Sequence, residues 1–141
     1  MPDELRSRID ALYTAYRTGR LDFVLNSFHD DAEFISYAPT DVFPYLGRQH
    51  GKKAIAATMQ KIRDDFETLS YHPVFMVVEG NDAGVIVSAR LRQRATDRII
   101  RLLVAHFIRF RDGRIVEMRE FMDSFDAVQQ VLGHEIDLAK P

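Results

Sequence analysis

Four strand-like stretches crowd the second half of the chain, Leu69–Val78, Gly84–Ala95, Ile99–Arg111 and Arg114–Met122, and only a few residues separate each from the next. The connections are Asn81-Asp82-Ala83-Gly84, Ala95-Thr96-Asp97 and Asp112-Gly113. A parallel crossover needs roughly a dozen residues or more, so these strands must pair as hairpins in a largely antiparallel sheet. Within Ile99–Arg111, Ile100, Leu102, Val104, His106, Ile108 and Phe110 share one face, and Arg101, Arg109 and Arg111 share the other. A sheet with one apolar face needs a cover.

The rest of the chain supplies it. Leu5, Ile9, Leu12 and Tyr16 recur at helical spacing and stop at Thr18-Gly19, and Leu21, Val24, Leu25 and Phe28 continue as a second short helix. Ala32–Ala38 reads as a strand ended by Pro39, and Pro39–Gly51 as a loop carrying Phe43 and Tyr45. From Lys52 a third helix sets Ile55, Met59, Ile62 and Phe66 on one stripe. A last amphipathic piece with Phe125, Val128, Gln129 and Leu132 closes near Gly133. With 141 residues, 46% of them apolar, there is material for one core, so residues 1–141 are expected to form a single domain. The pattern is α+β, with helices gathered on the concave face of a curved sheet and a cavity left between them.

Composition narrows the chemistry. The absence of cysteine excludes disulfides, thiolate metal sites and cysteine nucleophiles, and is compatible with a reducing cytosol. The net charge of −2 gives no general attraction to nucleic acid or anionic lipid. No apolar run approaches the roughly 20 residues of a membrane span, and Met1-Pro2-Asp3-Glu4 is acidic where a secretory signal would be basic. A cytoplasmic protein without membrane or nucleic-acid partners is expected. His29, His50, His72, His106 and His134 are scattered without ligand spacing, and there is no glycine-rich phosphate loop, so neither a metal nor a nucleotide cofactor is expected. Nine arginines lie between Arg90 and Arg119 against Asp97, Asp112 and Glu117. Their alternation suggests a stripe on one sheet face, either a subunit interface meeting acids such as Glu33, Glu79 or Glu117 of a second copy, or a solvated surface.

Two ionisable groups stand out. His106 falls on the apolar face of its strand, where it serves either as a general acid/base or as a core histidine held by one hydrogen bond. In the next strand Val116, Met118, Glu120 and Met122 share a face, and Asp123 follows where the strand runs out. Asp123 can transfer protons beside a hydrophobic cavity, or it can cap the final helix together with Ser124.

Several segments carry a resemblance: Tyr13, Arg17 and Gly19 at the first helix end, Phe28-His29-Asp30-Asp31-Ala32, Gly51-Lys52-Lys53-Ala54-Ile55, and Phe107 to Ile115 followed by Arg119-Glu120-Phe121-Met122-Asp123. In order and spacing the chain resembles the superfamily of ketosteroid isomerases, SnoaL-like polyketide cyclases, limonene-epoxide hydrolases and nuclear-transport-factor-like proteins. The resemblance implies a cone-shaped α+β barrel, dimeric through its sheet. The isomerase base would fall on Ser36, its oxyanion tyrosine near Leu12 and Tyr13, and its second oxyanion acid on His106. The hydrolase Arg-x-Asp would fall on Arg90-Leu91-Arg92, which keeps only the arginine, and the later hydrolase aspartate on Asp123. SnoaL-like cyclases, which rely chiefly on one acid/base aspartate, resemble the chain best.

The expected site therefore has Asp123 and His106 as its catalytic pair, lined by Tyr13, Tyr16, Phe34, Met59, Phe66, Phe75, Arg90, Met118 and Met122 around a small apolar ligand. Isomerase- or cyclase-type proton transfer is one expectation. A non-catalytic ligand-binding or dimeric interaction module of the same fold is the other.

Overall fold

The computed structural model describes residues 2–139. Ten elements follow one another: α1 (Pro2–Arg17), α2 (Leu21–Asn26), β1 (Phe28–Ser36), β2 (Arg48–His50), α3 (Lys52–Asp65), β3 (Phe66–Glu79), β4 (Asp82–Gln93), β5 (Ile99–Arg111), β6 (Arg114–Met122) and α4 (Ser124–Leu132). The strands form one curved sheet in the order β2-β1-β6-β5-β4-β3. The hairpins β3–β4, β4–β5 and β5–β6 are antiparallel, whereas β1 lies parallel to β6. That parallel pair is possible because α3 and four strands intervene between its members.

Local chemistry sets the element ends. Asp3 and Glu4 occupy the first turn of α1 and Arg17 the last, each matching the helix dipole. At its end Gly19 adopts φ +81°, and Arg20 N–H reaches back to the Ala15 carbonyl at 2.8 Å, the αL closure that glycine allows without strain. The β5–β6 turn has positive φ at both Asp112 (52°) and Gly113 (77°), the twist that lets a two-residue turn join right-twisted strands. Several boundaries differ from the sequence expectation. Phe28, expected on the stripe of the second helix, opens β1, which ends at Ser36 rather than Ala38. The Pro39–Gly51 loop contains the short strand β2, and Phe66, expected on the α3 stripe, instead opens β3 while remaining buried.

The concave face buries Ile9, Phe28, Ile55, Val85, Val87, Ile100 and Ile115 almost completely, each contributing about 1.5–3 kcal/mol against exposure. One core cluster lies beneath α1, α2 and α3; a second, containing Phe66, Ile100 and Val128, lies beneath α4 and the loop after β1. The convex face is left with Phe75, Val77, Leu103, Phe107 and Phe121 exposed. No helix among the described residues is long and apolar enough to cross a membrane.

Candidate functional site

Three strands bring polar groups to one row of the concave face. In the antiparallel β5–β6 ladder His106 lies opposite Glu120, and in the parallel β1–β6 ladder Ser36 lies opposite Glu120. Alternation turns all three inward, so this row is polar where the rows beside it carry Ile108, Met118, Val104 and Met122. From α1, Tyr13 comes down onto the row.

The side chains form a continuous line. Tyr13 Oη lies 2.5 Å from His106 Nδ1, and His106 Nε2 lies 2.9 Å from Glu120 Oε2. Ser36 donates its hydroxyl hydrogen to Glu120 Oε1 at 2.9 Å. With Glu120 ionised, these partners assign the ring proton to Nε2, leaving Nδ1 to accept the Tyr13 hydroxyl hydrogen. The side chains of His106 and Glu120 are only 4% and 14% exposed, and no lysine or arginine pairs with Glu120 among the described residues. Its side-chain partners are the His106 ring and the Ser36 hydroxyl.

Burial, with the Glu120 charge adding to it, pushes the Tyr13 phenol well above its usual range. Burial also pushes Tyr16 up to about 12, against the opposing pull of Arg63, and raises Tyr71 strongly. All three phenols therefore keep their protons at neutral pH. Their rings cluster, with Tyr16 and Tyr71 centroids 4.6 Å apart and Tyr13 and Tyr71 5.8 Å apart.

Two small chambers open on this cluster. The first, of about 60 Å³, is bounded by Tyr13, Phe34, Met59, Met118, His106 and Glu120 among others. The second, of about 90 Å³, reaches Phe43, Phe66, Leu91, Met122 and Val131. Tyr16, Ile62, Tyr71 and Glu120 line both chambers and so mark their junction. The arrangement offers apolar walls, a carboxylate that can accept a proton and phenols that can donate hydrogen bonds. Among the described residues no group of three or more histidine, aspartate or glutamate side chains converges as a metal site would.

Most expected lining residues stand at the chambers: Tyr13, Tyr16, Phe34, Met59 and Met118 at the first, Tyr16, Phe66 and Met122 at the second. The expected pairing of Asp123 with His106 is not what the structure brings together. Asp123 is exposed and caps α4, accepting Asp126 N–H at 3.1 Å, which is the helix-capping alternative raised by the sequence. Arg90 follows the outward parity of β4 and lies exposed on the convex face opposite Arg101. Phe75 is also outside, 54% exposed, because a bulge between Pro73 and Phe75 inserts Val74 and reverses the parity set by Tyr71. Within the chain Arg119 pairs with Glu117 at 3.0 Å and Arg109 with Asp82 at 3.0 Å.

Three residues of the site went unselected by sequence reasoning. Glu120 had a signal, since it stands between Met118 and Met122 on a face already assigned to the cavity. Ser36 and Tyr71 had none of comparable strength, because a pairing across β1–β6 and a bulge in β3 decide where they point.

Residues 9–118 match the family described as the SnoaL-like domain. The chain belongs to this family. Solved structures similar to this SnoaL-like domain include a candidate isomerase from Rhodopseudomonas palustris, 29% identical with a TM-score of 0.79, covering 88% of this chain and 92% of that one. An NTF2-like protein from Burkholderia xenovorans LB400 is 24% identical with a TM-score of 0.78, over 92% of this chain and 97% of that one. An LEH-like epoxide hydrolase from M. tuberculosis is 16% identical with a TM-score of 0.75, over 94% and 92%. The last two support the fold alone. No curated protein matches.

Proposed function

We propose that this SnoaL-like domain binds a small apolar molecule in the concave chambers and moves a proton on it, with Glu120 as the accepting base and His106 and Tyr13 as the relay. The buried line Tyr13–His106–Glu120 carries this reading, because a carboxylate held by the His106 ring and the Ser36 hydroxyl at a cavity wall is placed to take a proton from bound substrate. As Glu120 takes a proton from carbon, the imidazole holds the carboxyl in place. The relay is one of hydrogen bonds: Tyr13 holds Nδ1 and so keeps the imidazole turned to the carboxylate, and the proton that Glu120 has taken goes back to carbon of the substrate. The similarity to a candidate isomerase agrees with this type of chemistry.

The test uses 2-tetralone, an apolar bicyclic ketone with acidic α-hydrogens, in deuterated buffer. The protein is expected to accelerate α-hydrogen exchange, followed by NMR, and Glu120→Gln to lower that rate by about 10²-fold or more. Equal rates for the two proteins would remove Glu120 as the base. No acceleration over buffer would leave ligand binding without catalysis.

The exposed apolar residues of the convex face support a second element of the reading, a homodimer formed through that face. The cysteine-free sequence fits a cytoplasmic site of action.

A further inference from the structure

At the junction of the two chambers, Tyr16 and Tyr71 differ from the other polar groups that line the first chamber, Tyr13, Thr58, His106 and Glu120. Tyr13, His106, Glu120 and Ser36 satisfy one another, and Thr58 gives its hydroxyl hydrogen to the Tyr45 carbonyl at 3.2 Å. Among the described residues, the hydroxyls of Tyr16 and Tyr71 hydrogen-bond to no protein group, although both rings are packed into the core. Neither oxygen is among the sealed, unpartnered polar atoms, which are Arg63 Nε and Arg98 Nε. Both phenols belong to the lining of both chambers. Two neutral donors thus remain unused beside a carboxylate, and a donor left unpaired in apolar surroundings is costly.

The charges around them constrain what can fill that place. Among the described residues no lysine or arginine lines either chamber, and the one carboxylic acid that does is Glu120. Arg63 packs its guanidinium over the Tyr16 ring at 4.8 Å and bonds the Tyr16 backbone carbonyl, and it is not among the residues that line either chamber. A carboxylate or phosphate ligand would meet Glu120 with no counter-charge.

We propose that the junction is a recognition point for one uncharged oxygen, a carbonyl or hydroxyl, held by the Tyr16 and Tyr71 hydroxyls while apolar parts of the same ligand extend into both chambers. This rests on the reading that the cavity binds a small apolar molecule, and adds the ligand class: neutral, oxygen-bearing and branched or extended about that oxygen. A site built to bond an oxygen discriminates strongly against the analogue that lacks it, because its own donors then stay unpaired.

Isothermal calorimetry with three probes tests this: 2-tetralone, tetralin and tetralin-2-carboxylate. The ketone is expected to bind at least tenfold tighter than tetralin, and the carboxylate more weakly than either. In Tyr16→Phe/Tyr71→Phe the affinity for tetralin should be kept while the preference for the ketone disappears. Each single variant should lose part of it. Only unpartnered hydroxyls are removed, so the thermal midpoint should not fall. Tetralin binding as tightly as the ketone, a carboxylate that binds tighter, or a preference that survives in the double variant overturns the proposal. Failure of all three probes to bind overturns both this proposal and the binding reading beneath it. Loss of α-hydrogen exchange with the ketone preference intact sinks only the proton-transfer step.

Discussion

His106 and Glu120 face each other across the β5–β6 ladder, with the imidazole Nε2 2.9 Å from the carboxylate Oε2. Because the pair is fixed by strand register, the second ring nitrogen is aimed away from the sheet and meets Tyr13 of α1. The sheet sets the orientation of the relay, and the helix supplies its end.

Such a line should be energetically coupled. Replacing His106 by Leu leaves both the Glu120 carboxyl and the Tyr13 hydroxyl short of a partner, and is expected to cost about 3 kcal/mol. Tyr13→Phe removes one donor whose acceptor keeps its other bond, and should cost about 1–1.5 kcal/mol. Urea unfolding of both single variants and the double variant should give a coupling energy above about 0.5 kcal/mol. Strictly additive losses would mean that the three groups do not act as one network.

Asp123 should behave as a cap. Its carboxylate accepts the Asp126 N–H at 3.1 Å, so Asp123→Ala is expected to lower stability by about 1 kcal/mol. It should leave 2-tetralone affinity and α-hydrogen exchange unchanged, whereas Glu120→Gln should lower exchange by about 10²-fold or more. A variant of Asp123 that loses exchange while keeping its stability would restore it as a catalytic group.

Much of this architecture could be read from periodicity alone, and the failures have particular causes. The inward stripe of β5 follows strict alternation, which is why His106 was identifiable. Phe75 was misplaced because alternation holds only until an extra residue enters the strand, and nothing in Tyr-His-Pro-Val-Phe announces that Val74 bulges. Glu120 was passed over for Asp123, yet the two are three residues apart and of opposite orientation. The strand's own parity favoured Glu120, whereas Asp123 lies beyond the last strand residue, where parity has no authority. Ser36 depends on the parallel register of β1 against β6, a long-range pairing that no local pattern specifies.

The buried tyrosines make the fold sensitive to alkali. Burial raises Tyr16 to about 12 in the folded chain against about 10 when unfolded, and it raises Tyr13 and Tyr71 as well. Below pH 10 both states hold these protons, and stability does not depend on them. Above it the unfolded state releases protons that the folded state keeps, so stability falls by about 1.4 kcal/mol per pH unit for each such group. Tyrosinate absorbance and far-ultraviolet circular dichroism, followed from pH 9 to 12, should therefore change together for these phenols. Full ionisation at pH 11 with the dichroism intact would show that the phenols are open to solvent.

The convex face gives the last expectation. Leu103 is 65% exposed and Phe107 54%, next to Phe75, Val77 and Phe121, and Phe107 lies opposite Arg119 in the β5–β6 ladder. In a dimer that buries this face, position 107 would lose its aromatic contact and a carboxylate there would be taken out of water, so association should weaken. In the single chain the same side chain points to solvent and would lie beside the Arg119 guanidinium, so the fold itself should tolerate it. Sedimentation velocity at micromolar concentration should find a dimer for the unaltered chain and a monomer for Phe107→Glu, with far-ultraviolet dichroism unchanged. An unaltered chain that sediments as a monomer, or a Phe107→Glu variant that remains dimeric, would mean that this face is not the subunit contact.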